Sequence, residues 1–436
     1  MAMKPTFALG PPMAEPLAPL DVIVEANRCL NCYDAPCTRA CPTGIDIPRF
    51  IRRIASGDKA GAARTIMDAN PMGASCARVC PTEELCEGAC VYTPDAPAIR
   101  IGQLQQHATD WLMADGRALF SPGTPSGKRV AVVGGGPAGL SAARDLARLG
   151  HQVTVFERDD LPGGLNTYGI VPYRLPAEVA LWEAEQVRRL GVDIRTGVAV
   201  GTGVAAAELL AEYDAIVIAC VMGRVPHLGI PGEDAGGVWD ALDFIRRAKE
   251  DGAVPGLGDT VAVIGGGNTA IDAATASKRL GASSVTMFYR RGAERMTAYA
   301  FEIEFARSEG VEFRHCVIPK RIVTNEGRVA GLELIRTDTD GSARPIPGSA
   351  YTIPVDNVIR AIGQSRFAAL LDAFGVIHEH GVAVVDDDMR TNQPRVFAAG
   401  DCMFRAGAGD AMVVEAAERG KTAARSIDAF LREGTA

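Results

Sequence analysis

Residues 129–158 read RVAVVGGGPAGLSAARDLARLGHQVTVFER, and the punctuation of that stretch sets the fold class. An apolar, β-branched run is followed by Gly134, Gly136 and Gly139 in GxGxxG register, then by a helical period, then by a second apolar run, QVTVFE, that ends at Glu157. Each glycine has a mechanical reason: the first permits a tight turn, the second lets backbone approach a pyrophosphate, and the third lets helix pack on strand. Glu157 stands eighteen residues beyond Gly139, where an acid can bind ribose hydroxyls. A bare GxGxxG would carry little weight, but the strand before, the helix after and the acid beyond make this a dinucleotide-binding unit.

A second copy, TVAVIGGGNTAIDAATASKRLGASSVTMFYRR at 260–291, carries Gly265, Gly267 and Ala270 in GxGxxA form. Its second strand ends in Tyr289, Arg290 and Arg291 instead of an acid. A guanidinium there can pair with a 2′-phosphate, which tilts the choice toward NADPH, whereas two solvated arginines at a sheet edge are the plainer alternative. Nearer the end, PRVFAAGDCMFRAGAGDAMVVEAAERGKTAARSIDAFL pairs a strand and a Gly400–Asp401 turn with a helix. The alternation of apolar strands and helices is that of a doubly wound α/β protein.

Upstream, eight of the eleven cysteines fall between residues 29 and 90. The first run, CLNCYDAPCTRACP, has C-x2-C-x4-C-x3-C-P spacing, and the second, CARVCPTEELCEGAC, repeats the Cys-Pro at Cys80–Pro81. Structural zinc usually uses separated CxxC pairs, while four thiols in one run before a proline match the ferredoxin pattern. Two interleaved runs of four could carry two [4Fe-4S] centres. Cys220, Cys316 and Cys402 are scattered and read most simply as ordinary buried residues.

The 436 residues carry a net charge of -8, with no long basic run, which argues against a nucleic-acid partner. No stretch of eighteen apolar residues or signal peptide is visible, so the expectation is a cytoplasmic protein with no membrane span. Residues 21–115 show helical periods with the cysteine runs as loops, and SPGTPSGK at 121–128 reads as a linker. The Gly400–Asp401 strand-turn-helix resembles that of two-nucleotide flavoprotein reductases, and this resemblance implies a flavin-binding domain split into 121–229 and 349–436 around an inserted NAD(P)H domain over 230–348, after a helical iron-sulfur domain over 1–120. RAIGQ at 360–364 would be the return crossing.

The segments ANRCLNCYDAPCTRACPTGIDIPRFI, NPMGASCARVCPTEELCEGAC, IGQLQQ and GGLNTYGIVPYRLP give the chain its family likeness. It resembles the flavin and iron-sulfur half of dihydropyrimidine dehydrogenase, and most closely the separate bacterial NAD(P)H-oxidising subunit. It is more distantly similar to the glutamate synthase small subunit and to ferredoxin:NADP transhydrogenase flavoproteins. The implied fold is glutathione-reductase-like: two Rossmann-type nucleotide-binding domains preceded by an α-helical domain with two [4Fe-4S] clusters.

The resemblance implies Cys29, Cys32, Cys37 and Cys90 for the first cluster, and Cys41, Cys80, Cys86 and Gln105 for the second, with Cys76 a spectator. Counting cysteines alone would make Cys76 the eighth ligand. For FAD it implies Val79, Gly134, Gly136, Pro137, Ala138, Gly139, Leu140, Glu157, Arg158, Gly164, Leu165, Arg174, Gly400 and Asp401. For NAD(P)H it implies Gly265, Gly267, Asn268, Thr269, Ala270, Arg290, Arg291, Ala361, Ile362 and Gly363. Thr297 stands where mammalian members add an arginine, and Cys220 to Gly223 where related reductases often write ATG.

NAD(P)H would deliver hydride to FAD, which releases electrons singly into the clusters, so no catalytic side chain is expected. After the last Rossmann strand only a helix remains, which leaves no room for an FMN barrel or a pyrimidine pocket. The resemblance supplies these through a partner, an FMN and iron-sulfur catalytic subunit that reduces uracil or thymine, in a heterotetramer. The alternatives are a glutamate synthase-like or ferredoxin-linked electron donor, and a non-enzymatic redox-sensing cluster protein.

Overall fold

A computed structural model describes residues 9–93, 95–220, 223–403 and 411–433. They form two compact units, taken here one at a time.

The larger unit comprises Ala14–Thr167, Ala177–Met222 and Arg366–Ala436. Its N-terminal part is helical. Asp46 caps the helix Ile47–Ala55 by accepting from Arg49 N–H, and Asp58 caps Lys59–Ala69 by accepting from Gly61 N–H. Phe50, Ile51, Ile54 and Ile66 from these helices meet Leu104 and Leu112 of the helix Ile101–Asp115 in one apolar core. The cysteine runs lie between the helices.

The same unit holds a five-stranded parallel sheet in the order Val396–Ala398, Ala215–Ile218, Arg129–Val133, Gln152–Phe156, Asp193–Arg195. Val130, Ala131 and Val132 are fully buried, as in a parallel strand covered on both faces. The helix Val413–Glu433 packs on the helix Pro137–Arg148 that follows the glycine turn. Gly420 makes this approach possible, since a Cβ there would overlap the Ala138 carbonyl oxygen.

The smaller unit, Met1–Met13, Tyr168–Pro176 and Gly223–Ser365, carries a second parallel sheet. Its order is Val238–Asp240, Asn357–Arg360, Thr260–Ile264, Ser284–Tyr289, Val311–His315. An antiparallel three-stranded sheet, Tyr351–Ile353, Arg328–Arg336 and Val317–Asn325, accompanies it.

The expected boundaries therefore shift. The return to the larger unit comes after Ser365 and not at 349, because Val358 and Ile359 pair with Ala262 and Val263 of the second sheet. The smaller unit's long segment starts at Gly223, whose N–H donates to the Ser365 carbonyl at 2.7 Å, while Ser365 N–H donates to the Arg224 carbonyl at 2.8 Å, so the two ends of that segment lie side by side. The helical stretch over 1–120 is not a free-standing unit. Met72 and Cys76 share a core with Val130, Ala138 and Leu140, and Arg144 Nη2 donates to the Asp68 carbonyl at 3.0 Å.

Candidate cofactor sites

The helical loops sort the cysteines into two groups. Cys29, Cys32, Cys37 and Cys90 line one cavity, closed by Ile47 and Tyr92. Burial first, and then the neighbouring Cys29 and Cys90, push the Cys37 thiol up to about 11. A second cavity is lined by Cys41, Cys76, Cys80 and Cys86 together with Gln105. Two of its thiols resist ionisation: Cys80 is pushed up by its interaction with Cys76, by burial and by the charges of Cys86 and Cys41, and Cys86 by burial and the charge of Glu87. Four soft donors crowded in an apolar wall fit a cationic iron-sulfur group, which would relieve the mutual repulsion of the thiolates.

Both disputed residues, Cys76 and Gln105, reach the second cavity. Gln105 is buried, and its Nε2 donates to the Gly73 carbonyl at 2.7 Å, which leaves the amide oxygen as its other arm. Gly73 begins the helix Gly73–Val79, which carries Cys76 and ends at Val79 beside Cys80. The N-terminus of that helix is held by Glu183, a residue the sequence did not single out. Its carboxylate accepts from Ala74 N–H at 2.8 Å, Ser75 N–H at 2.9 Å and Ser75 Oγ–H at 2.5 Å. Burial pushes Glu183 up to about 7, against the pull of those three bonds. Only its place on an otherwise apolar helix face could have flagged it.

In the first glycine turn Gly134 has φ +109°, and a Cβ there would lie 2.5 Å from the Ala219 carbonyl oxygen. Gly136 is the N-cap of the helix Pro137–Arg148 with no side chain in the cap, so the first turn presents the backbone N–H groups of Ala138 and Gly139, while Leu140 N–H closes the turn on the Gly136 carbonyl at 2.9 Å. Gly164 lies against Gly136, its notional Cβ 2.9 Å from the Gly136 Cα, and Leu165 follows at the start of the helix Leu165–Tyr168. Glu157 accepts from Gly135 N–H at 2.8 Å and Asp159 N–H at 2.9 Å, and burial raises its pKa in spite of them. Each carboxylate oxygen keeps a lone pair for a hydroxyl. Arg158 lies over the Phe367 ring.

Gly400 lies against Ala138, and burial raises Asp401, opposed by the charges of Arg419 and Arg366. The cradle of small residues and backbone donors fits a dinucleotide. Residues 404–410 and 221–222, the latter within the Cys220–Gly223 departure, lie outside the described residues.

Arg174 belongs to the smaller unit, where Nη1 contacts Asp272 at 2.9 Å and Nη2 contacts Glu302 at 2.6 Å. Burial works against its charge, but the two carboxylates outweigh burial and raise its pKa.

In the smaller unit Gly265 lies against the Ala361 carbonyl, so the turn through Ala361, Ile362 and Gly363 borders the second glycine loop. Ile362 is exposed. Gly267 caps the helix Asn268–Arg279, with Thr269 in its first turn and Ala270 fully buried against the strand. Asn268 Oδ1 accepts from Tyr299 N–H at 3.2 Å, and Tyr289 stands over Gly266. Arg290 is exposed and Arg291 half-buried, and among the described residues neither is ion-paired with a carboxylate. Thr297 N–H donates to the Gly266 carbonyl at 3.0 Å, so the residue that departs from the mammalian pattern is itself part of the loop.

Residues 12–117 match the family described as dihydropyrimidine dehydrogenase domain II, 4Fe-4S cluster, and residues 128–425 match pyridine nucleotide-disulphide oxidoreductase. The NAD-dependent dihydropyrimidine dehydrogenase subunit PreT of Escherichia coli (strain K12) is 36% identical over 94% of each chain. The chain belongs to the PreT family. Other relatives of this PreT-family chain act elsewhere. The NADP(+)-dependent formate dehydrogenase subunit beta of Moorella thermoacetica is 36% identical over 92% of this chain and 60% of its own length. The glutamate synthase [NADPH] small chain of Escherichia coli (strain K12) is 33% identical over 95% and 92%.

Among solved structures, Lactococcus lactis thioredoxin reductase covers 70% of this chain and 99% of its own, with a TM-score of 0.55 at 24% identity. Mycobacterium tuberculosis FprA in complex with NADPH covers 71% and 85%, with a TM-score of 0.57 at 20% identity. These likenesses concern the fold. The family is one of oxidoreductases, and this chain is an oxidoreductase of the PreT type. No helix among the described residues is long and apolar enough to cross a membrane.

Proposed function

We propose that this chain is the electron-input subunit of a dihydropyrimidine dehydrogenase: it oxidises NAD(P)H and passes the electrons to an FMN and iron-sulfur catalytic subunit that reduces uracil or thymine to the 5,6-dihydro form. Bound FAD and two [4Fe-4S] clusters would supply the conversion of a two-electron donor into single-electron transfer. The chain's own residues bind and orient. Gly136, Ala138 and Gly139 present backbone donors to a pyrophosphate, Glu157 takes a ribose, and Gly400–Asp401 close over the first turn of the glycine-loop helix. Cys29, Cys32, Cys37 and Cys90 would hold one cluster, and Cys41, Cys80, Cys86 and Gln105 the other. Arg290 and Arg291, free of carboxylates, would take a 2′-phosphate.

One observation inside the larger unit carries this reading. Val414 lines the second thiol cavity, while Gly420, further along the same helix, lies on Ala138 of the glycine-loop helix. One helix thus borders both proposed cofactor sites. The purified chain should reduce an artificial dye with NAD(P)H and leave uracil unreduced, and should copurify from its host with the catalytic subunit. Dihydrouracil formed by the chain alone, or copurification with a glutamate synthase large subunit, would refute it.

A further inference from the structure

Eight cysteines line the two thiol cavities, which leaves three over, and two of these meet. Cys220 follows the end of the strand Ala215–Ile218, and Cys402 lies just beyond the neighbouring strand Val396–Ala398. The strands are in register, Ala398 opposite Ile218, so Cys220 leaves one strand beside the short helical turn Gly400–Met403 that carries Cys402 off the other. Cys402 Sγ donates to the carbonyls of Ile218 and Ala399, each at 3.3 Å, which brings it across to the strand that ends beside Cys220 and makes the two thiols electrostatic neighbours. Both belong to one apolar cluster with Phe156 and Ile218. They differ in access, Cys220 being partly exposed and Cys402 only 5% exposed.

We propose that Cys220 and Cys402 are a redox-active dithiol that a hydroperoxide closes to a disulfide beside the first glycine turn. Cys220 is the attacking group: the neighbouring Cys402 thiol, and more weakly the charge of Arg158, favour its thiolate against burial and Asp401. Its sulfur takes one peroxide oxygen and the other leaves as water, giving a sulfenic acid. Cys402 Sγ then attacks that sulfur and expels a second water. Two thiols and one hydrogen peroxide thus become one disulfide and two waters. A notional Cβ on Gly134 lies 3.1 Å from the Cys220 nitrogen, so the bond would form where the glycine turn rests on the sheet. This inference is independent of the partner and of which nicotinamide is used.

The test treats the cofactor-loaded protein with graded hydrogen peroxide, blocks remaining thiols with an alkylating agent, and maps tryptic peptides without reduction. The expected product links peptide 196–224 to peptide 396–405, two hydrogens lighter than their sum and separated by dithiothreitol. In Cys402→Ala the resolving thiol is gone, and dimedone should label Cys220 instead. Both cysteines alkylated and unlinked at peroxide levels that oxidise other thiols would overturn the proposal. So would a disulfide from Cys220 to another cysteine, or an unlabelled Cys220 in a folded Cys402→Ala protein. Should that variant not fold, the wild-type map alone decides.

Discussion

Replacing Glu183 with Gln tests whether a buried carboxylate positions the helix that carries Cys76 and leads into Cys80. The substitution preserves the geometry on paper. The amide oxygen can accept from Ala74 and Ser75 N–H as the carboxylate does, and the amide nitrogen can donate to Ser75 Oγ. What it removes is the titration. An ordinary glutamate has a value of 4.5, and burial raises this one to about 7. The folded state therefore binds the proton more tightly than the unfolded chain does. The resulting stabilisation is complete below 4.5 and is lost as pH rises through about 7.

At 1.36 kcal/mol per pH unit, the rise corresponds to roughly 3 kcal/mol. Between about pH 5 and about pH 8 most of that should disappear from the wild type and none of it from Glu183→Gln. Urea unfolding of the cofactor-loaded protein at both pH values, followed by cluster absorbance and circular dichroism, gives the two slopes. Their difference isolates Glu183 from the other titrating groups. Glu183→Ala leaves two buried N–H groups unpaired and should lose about 2–4 kcal/mol at either pH. Identical pH slopes in wild type and Glu183→Gln would refute the argument.

The purified protein should be brown-yellow, release FAD on denaturation and contain about eight irons per chain; zinc without sulfide would exclude the cluster reading. Cys76→Ala should keep that iron and the dye activity, whereas Gln105→Ala should alter one cluster's electron paramagnetic resonance signal or lose its iron; the reverse pattern would make Cys76 the ligand. Changing Arg290 and Arg291 together to Ala should raise KM for NADPH by roughly tenfold or more and for NADH far less; equal effects, or a wild type that prefers NADH, would leave the two arginines as a solvated sheet edge. Gly420→Val should force the helix Val413–Glu433 away from Ala138 and destabilise the larger unit by more than about 3 kcal/mol in urea unfolding, and an unchanged midpoint would refute that close approach.

What the sequence determined by itself is whatever a short stretch of chain can encode. Both glycine turns follow from residues a few positions apart, because a strand, a turn with positive φ and a helix N-terminus are local objects. The cysteine runs were legible for the same reason, since their spacing is a property of one loop. The tertiary structure decided what depends on distant partners. The strand Asn357–Arg360 joins the inserted sheet because it finds Thr260–Ile264 there, and no residue near 349 announces that pairing. Arg174 is one basic residue among many in the sequence, and Asp272 and Glu302 come from two later helices to surround it. Glu183 is one more polar residue in a helix until the fold brings it to Ser75, 108 residues away, and Cys220 and Cys402 are scattered cysteines until two neighbouring strands end side by side. A charge or thiol takes its chemistry from what surrounds it once water is excluded, and that environment exists only after the chain has folded.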